Sequence, residues 1–344
     1  MMNRATAIVR MLTRLPLLLM AMATVALGST ARAEDPWVVY PGGHGPGAGK
    51  HVVLISGDEE YRSEEALPML AKILAVRHGF RCTVLFSINP KDGTIDPNNQ
   101  ANLPGLELLD TADMMVIATR FRELPDDQMA HIDRFVHSGK PILGLRTATH
   151  AFFYRRNKAS RYAKYDFRSE EWPGGFGQQV LGDTWISHHG HHGHESTRGV
   201  INQQYAEHPI LRGVQDVWGP TDVYTIKNLP EDAQILVHGQ VLSGMKPTDP
   251  PNRDKPMMPL VWLRHFAGGS AKPSRVICTT MGASVDLESE GLRRLLVNAC
   301  YWGLEMEDQI PATSNVAYVD PYDPSFFGSN GFKRGVRPAD YASP

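Results

Sequence analysis

Strand-like and helix-like segments alternate along the first half of the chain, and this alternation constrains the fold more than any other feature. Four apolar runs of strand length lie at 51–56, 80–86, 113–119 and 140–145. Helical patterns follow the first run, from Ser63 to about His78 before Gly79, and the third run, from Pro125 to Gly139. Parallel strands must be joined by crossover connections, which are usually helices of this kind. The order predicts an α/β fold with an open, mostly parallel sheet and helices on both faces.

The second half of the chain is less regular. Further strand-like runs lie at 222–226, 234–239, 259–263 and 275–281, and a helical pattern covers 288–303. Residues 155–194 lose periodicity and are rich in Gly, His and aromatic residues, which predicts a His-rich functional insertion. We expect a flexible segment at 34–50, one α/β domain at 51–305, and an irregular tail at 306–344 that lies against the body of the protein.

The first 33 residues have the composition of a secretory signal peptide. Arg4, Arg10 and Arg14 precede an apolar stretch of 13 residues at 15–27, and Ala31-Arg32-Ala33 offers small residues at the −3 and −1 positions. The alternative is a membrane anchor, but 13 helical residues are too few to cross about 30 Å of hydrocarbon. We therefore predict cleavage after Ala33 and a periplasmic or extracellular protein without a membrane span.

Charge and cysteine content exclude several classes of function. The net charge is −2, and it becomes −6 without the first 33 residues, which hold four arginines and no acid. A nucleic-acid-binding protein needs a basic surface, so nucleic acid is not an expected partner. Cys82 and Cys278 lie in apolar runs and are expected to be inert core thiols. A Cys278–Cys300 disulfide stays an open alternative, and nothing indicates the oligomeric state.

The turn after the first strand, residues 56–63, is one candidate site. Ligands of open parallel sheets bind beyond the carboxyl ends of strands, beside helix N-termini. This turn holds the acids Asp58, Glu59 and Glu60, followed by Tyr61 and Arg62. Such groups suit sugar hydroxyls or a metal. The alternative is an ordinary helix N-terminus with acids that complement the helix dipole, and that alternative is favoured for Glu64 and Glu65.

The turn after the fourth strand, residues 144–152, has the strand–turn–helix shape of a nucleophile elbow. The elbow position holds Arg146, which stays protonated and cannot attack a carbonyl. Thr147 and Thr149 have no evident activating base. We predict that Arg146 and Thr147 bind an anion or hydroxyl groups, with His150 nearby as a catalytic candidate. The alternative is a structural ion pair between Arg146 and an acid.

A third candidate is the segment 188–195, which contains five histidines. In an extended segment His189 and His191 would point to one side, and His188 and His192 to the other. Imidazole suits a divalent transition metal. His189 and His191 with a carboxylate such as Glu59 would leave a coordination position open for catalysis. The alternative is a polar, glycine-rich loop that holds no native metal.

These segments together resemble the trehalose-utilisation (ThuA-like) family between residues 51 and 303. The motifs that carry the resemblance are, in order, Val53-Leu54-Ile55-Ser56-Gly57, Gly139-Lys140-Pro141, Gly144-Leu145, Gly182-x-x-Trp185-x-x-His188, His208-Pro209-Ile210, Asp222-x-Tyr224, Pro259-Leu260-Val261-Trp262 and Thr279-Thr280-Met281-Gly282. The resemblance implies a class I glutamine-amidotransferase-like, flavodoxin-like fold. It also implies a role in processing sugars or oxidised (keto) sugars.

The sequence departs from the pattern of that family at two positions. Arg146 stands where the family has the His of Gly-Leu-His, and Ala283 stands where it has the His of Leu-Gly-His. The nucleophilic Cys of glutamine amidotransferases is also absent at Arg146. Amidotransfer is therefore not an expected activity.

Three candidate functions follow from these observations. The first is an exported carbohydrate-active enzyme, a hydrolase or lyase, in which His or Glu acts as general acid or base. The second is a non-catalytic saccharide- or anion-binding module of the same fold; a structural partner protein is a third. The predicted catalytic residues are His150, His188 and Glu59. The predicted ligand-binding residues are Asp58, Tyr61, Arg62, Arg146, Thr147, Trp185 and Asp222.

Overall fold

The structure, a computed structural model, describes residues 35–342. The predicted signal peptide lies outside the described residues. Ten strands lie within this range: β1 Trp37–Tyr40, β2 His51–Gly57, β3 Arg81–Leu85, β4 Met114–Thr119, β5 Ile142–Leu145, β6 Thr197–Ile201, β7 Trp218–Gly219, β8 Gln234–Val241, β9 Met258–Phe266 and β10 Ser274–Thr279. The α-helices of the same range are α1 Ser63–His78, α2 Asp126–Val136 and α3 Glu290–Gly303.

All ten strands form one sheet in the order β1-β3-β2-β4-β5-β10-β9-β8-β6-β7. The five strands from β3 to β10 in this order are parallel, while β1 and the strands beyond β10 pair antiparallel. The predicted α/β class with an open sheet is confirmed. The parallel part is its central five strands: α1, a helical turn at Leu106–Asp110 and α2 return the chain to the same edge between β2 and β5, and β10 joins through its antiparallel neighbour β9.

The helices cover both faces of the sheet, as the alternation predicts. Val52 and Leu54 of β2 face a core that contains the apolar sides of α1 and α3. Val53 and Ile55 face the opposite core, which contains α2 and the aromatic residues of the insertion. Both faces of β2 are therefore buried, which explains its continuous apolar run.

Two sequence expectations about local structure need correction, and two strands were not foreseen. Residues 34–50 were expected to be flexible, but Trp37–Tyr40 form the edge strand β1 against β3. Residues 222–226 are not a strand; Tyr224 makes an isolated bridge to His188 instead. Strands β6 and β7 were not predicted, because β6 is only partly buried and β7 has two residues.

The C-terminal tail lies against the domain, as expected. The hydroxyl of Tyr40 donates a hydrogen bond to the backbone oxygen of Tyr341 at 2.7 Å, and the ring of Tyr341 stacks on Phe86 at 5.8 Å. A second contact lies at the start of α1, where Glu65 accepts a hydrogen bond from the backbone N–H of Ser325 at 2.7 Å. No helix within residues 35–342 combines the length and apolarity that a membrane crossing requires.

Candidate functional site

The carboxyl ends of β2 and β5 bring two of the predicted segments together, and the histidine segment reaches them through Asp222. The Asp222 carboxylate is fully buried, and each of its oxygens has a hydrogen-bond partner. Oδ2 lies 2.7 Å from Nδ1 of His188, and Oδ1 lies 2.9 Å from Nδ1 of His192. We call these three residues the His–Asp cluster. Burial opposes ionisation, but the hydrogen bonds from the two imidazoles hold the pKa of Asp222 well below its usual range.

Arg146 holds Asp222 from the other side. It has a left-handed backbone (φ 41°) at the end of β5, and its side chain is 1% exposed. Nη1 donates to the backbone oxygens of Asp222 (2.9 Å) and Thr280 (2.7 Å), and Nη2 lies 3.3 Å from Oδ1 of Asp222. The guanidinium also lies over the rings of Tyr61 and Tyr224, at 4.1 and 4.5 Å.

These contacts decide between the two interpretations of Arg146. The buried guanidinium is committed to a carboxylate, two carbonyls and two aromatic rings, so little of it is accessible to an anion or a sugar. The structure favours the alternative of a structural ion pair. A positive φ at a non-glycine residue costs free energy and persists only where surrounding contacts hold it; here those contacts position Asp222.

His192 connects the cluster to the first turn. Its Nε2 lies 3.2 Å from Oε1 of Glu60. Hydrogen bonds with Asp222 and Glu60 raise the pKa of His192 to about 9, against the effect of burial. Although burial opposes it, the hydrogen bond with His192 and the charge of Arg120 lower the pKa of Glu60. At neutral pH His192 is therefore an imidazolium between two carboxylates, with its side chain one-third exposed.

The carboxylates of Asp58 and Glu59 in the first turn are engaged by neighbouring protein groups. Oε1 of Glu59 lies 3.0 Å from Arg120, and Oε2 lies 3.1 Å from the buried Arg122. Asp58 accepts a hydrogen bond from the hydroxyl of Thr147 at 2.6 Å and caps two backbone N–H groups of its own turn. Asp58 and Thr147 thus join the two turns, while Glu59 binds the arginines that follow β4.

Tyr61 and Arg62 are also buried. Arg62 is fully buried at the N-terminus of α1 and donates to the backbone oxygen of Gly328 in the tail. Tyr61 is 2% exposed and lies between the Arg146 guanidinium and the ring of Phe327. Both predicted ligand-binding residues therefore anchor the tail and the cluster.

His150 lies beneath the site, not in it. It is 3% exposed, and burial together with the charges of Arg120 and Arg146 lowers its pKa well below the usual range. Its ring packs on Phe121 (5.2 Å) and Trp185 (5.3 Å). Trp185 is half-buried and also contacts His188, with ring centroids 5.8 Å apart.

The predicted pair His189 and His191 is not brought together with Glu59. Nε2 of His189 lies 2.8 Å from the backbone oxygen of Pro256, and the ring of His191 stacks on His194 at 4.3 Å. Within residues 35–342, one group of three His, Cys, Asp or Glu residues has ligand atoms close enough for a metal, and it is the His–Asp cluster, with those atoms within 4.8 Å.

This difference has a local cause. The chain turns at 191–194, where the N–H groups of His194 and Glu195 both donate to the backbone oxygen of His191, at 2.9 Å each. Alternation of side chains holds only in an extended segment. The turn therefore brings the ring of His191 onto His194 and away from His189, whereas His188 and His192, which alternation already places on one side, both contact Asp222. The spacing of four residues between these two histidines was the available signal.

The three cysteines are free and buried, so no Cys278–Cys300 disulfide forms. Burial raises the pKa of the Cys300 thiol to about 12 and that of the Cys82 and Cys278 thiols well above the usual range. Buried thiols of this kind are poor nucleophiles.

The chain belongs to the ThuA family, described as trehalose utilisation, whose profile matches residues 51–303. The family resemblance predicted from the motifs is confirmed, and it indicates a carbohydrate-related role. Similar solved structures include a protein described as ThuA-like from Parabacteroides merdae ATCC 43184 (14% identity, 86% of this chain and 99% of that chain, TM-score 0.48). Another, described as ThuA-like from Bacteroides uniformis ATCC 8492, shares 14% identity over 76% of this chain and 94% of that chain, with TM-score 0.46. The comparison with curated proteins finds no match.

Proposed function

We propose that this protein is an enzyme that breaks the C–O bond of a glycoside or keto-glycoside, with the His–Asp cluster as its acid–base machinery. The observation that supports this most is the contact of one buried carboxylate with two partly exposed imidazoles, one of which is cationic at neutral pH. A carboxylate that accepts from Nδ1 fixes the ring, and at His188 this leaves Nε2 for proton transfer.

The two imidazoles have different environments and take different roles. His192 carries a proton held between Asp222 and Glu60, so it is the general acid that protonates the leaving oxygen. His188 has Nδ1 on Asp222, and no hydrogen bond from its Nε2 to another group occurs within residues 35–342. When unprotonated, that Nε2 is the general base. It takes a proton from water in a hydrolase, or from the carbon next to a keto group in a lyase.

Arg146 and Glu60 contribute to catalysis indirectly, through Asp222 and His192. The Arg146 guanidinium keeps Asp222 ionised and in place, and Glu60 adds a second negative charge beside His192. Neither needs to touch the substrate. General acid–base catalysis by a positioned side chain contributes about 10²–10⁴-fold to a rate, which sets the size of effect to expect from a variant.

The test is turnover of a panel of glycosides and 3-keto-glycosides by the purified protein, with products identified by NMR. His188→Gln and His192→Gln are each expected to reduce kcat by about 10² or more. His189→Gln is the matched control, because that ring contacts the backbone of Pro256 outside the cluster, and it should retain activity. Saturable sugar binding without turnover would favour the non-catalytic module. Full activity in both cluster variants would contradict the proposal.

A metal-dependent form of this function is a second candidate, favoured by the three donor groups within 4.8 Å. Two nitrogen ligands and one carboxylate would leave a divalent transition metal with an open position. The nearby Arg146 charge and the proton on His192 oppose a cation, because metal binding must release that proton. Elemental analysis of protein purified without added metal decides it. The His188→Ala/His192→Ala variant should lose stoichiometric metal while His189→Ala/His191→Ala keeps it; substoichiometric metal in the parent excludes this candidate.

Export belongs to the same proposal. Cleavage after Ala33 would release the enzyme outside the cytoplasm, where small glycosides are first met. N-terminal sequencing of the protein recovered from the periplasm or medium should begin at Glu34. A protein that keeps Met1 in the cytoplasmic fraction would contradict export.

A further inference from the structure

Aromatic rings continue on both sides of the two imidazoles. Trp185 contacts His188 at 5.8 Å, His188 contacts His192 at 4.6 Å, and Phe327 contacts His192 at 5.3 Å. Phe326 stacks on Phe327 at 4.4 Å and is 55% exposed. The proposed acid–base groups therefore lie between aromatic side chains, Trp185 on one side and the Phe326–Phe327 pair on the other.

The Phe326–Phe327 pair is held in place by the chain on both sides of it. Before the pair, the backbone N–H of Ser325 donates to Glu65 at 2.7 Å. After the pair, the N–H of Gly328 donates to the backbone oxygen of Glu60 at 2.8 Å, and its own oxygen accepts from Arg62. The two anchors lie at the first turn and at the start of α1. The tail thus presents these rings to the site in a fixed position.

Phe326 therefore offers an exposed aromatic face in a fixed position, one ring away from His192. The C–H faces of a sugar ring are apolar and carry slight positive charge, which suits the negative face of an aromatic ring. Fixed aromatic surfaces bind such rings at low entropic cost. The imidazolium of His192 lies close enough to Phe327 to be stabilised by its ring as well.

We propose that Phe326, stacked on the buried Phe327, forms a subsite for a second ring of the substrate, on the leaving-group side next to His192. The inference rests on the proposed function for its orientation, because His192 is the group that protonates the leaving oxygen. The ligand class is a glycoside with a ring on each side of the scissile bond. The tail lies outside residues 51–303, so this subsite comes from a part of the chain beyond the family match.

The test is binding of disaccharides (trehalose, cellobiose and sucrose) and of glucose, measured by titration calorimetry. The protein should bind at least one disaccharide tighter than glucose. Phe326→Ala should weaken that disaccharide about tenfold, as loss of one stacked ring does elsewhere, and should leave glucose unchanged. Phe326→Tyr keeps the ring and should restore binding. Val76→Ala is the control, because this exposed residue (54%) on α1 lies on a different surface.

The outcomes separate this inference from the proposed function. Equal dissociation constants in the parent and Phe326→Ala, equal losses for glucose and disaccharide, or no disaccharide binding at all would each overturn the subsite. Disaccharide binding that depends on Phe326 but is never followed by turnover supports the subsite and contradicts the enzyme. Phe326 is exposed, so its loss should not change the folded state, and circular dichroism checks this.

Discussion

Glu64 offers a quantitative test of the packing around the site. It lies in the first turn of α1, is 4% exposed, and neither carboxylate oxygen has a hydrogen-bond partner among the described residues. Burial raises the pKa of Glu64 to about 8, and the charge of Arg62 offsets only part of that effect. The folded protein therefore keeps this carboxyl protonated at pH values where the unfolded chain ionises it, near pH 4.5.

The sign of the pH dependence follows from this difference. Between about pH 4.5 and pH 8 the folded state binds more protons than the unfolded state, so the free energy of unfolding falls as the pH rises. Each pKa unit corresponds to about 1.4 kcal/mol, and between pH 5 and pH 8 the contribution of Glu64 falls by about 3 kcal/mol. Glu64→Gln removes the titrating carboxyl group and keeps the shape of the side chain.

Urea unfolding at pH 5, 6, 7 and 8, followed by tryptophan fluorescence, measures the effect. Other groups also titrate, so the informative quantity is the difference in free energy between Glu64→Gln and the parent. We expect the variant to gain about 3 kcal/mol relative to the parent from pH 5 to pH 8. Glu107→Gln, on the exposed surface, reports the effect of the chemical change alone. A difference for Glu64→Gln that stays constant over this range would refute the reasoning.

Three further predictions test the buried contacts. Arg146→Met should lower the free energy of unfolding by about 3 kcal/mol or more, because it leaves the Asp222 carboxylate without its buried partner; unchanged urea stability would contradict the structural ion pair. Iodoacetamide should not label the folded protein, because all three cysteines are buried; rapid labelling seen by mass spectrometry would count against this. Gly291→Ala should lower the melting temperature, because a Cβ there would lie 1.9 Å from the backbone oxygen of Gln215, whereas Gly43→Ala, with nothing within 4 Å, should not.

The central parallel strands could be predicted because their signals are local. The predicted helix and α1 share the bounds Ser63–His78, and the four predicted runs match β2 to β5 to within about two residues. Buried strands are continuous apolar runs, and amphipathic helices show apolar residues that recur with the helical period. The antiparallel half was harder to predict. Strand β6 exposes part of its length, and β1 is a four-residue strand at the sheet edge, so neither carries a strong local pattern.

The sequence also determined which segments could build a site, since the turns after β2 and β5 and the histidine segment were all identified. Only the tertiary structure decided which atoms meet. Asp222 lies 76 positions after Arg146, and a buried carboxylate needs charged or hydrogen-bonding partners wherever the chain supplies them. These partners are Arg146, His188 and His192. The side chain of Arg146 therefore points into the protein, and His192 rather than His191 contacts Asp222. Such choices depend on burial and on contacts between distant segments, and no local pattern in the sequence encodes them.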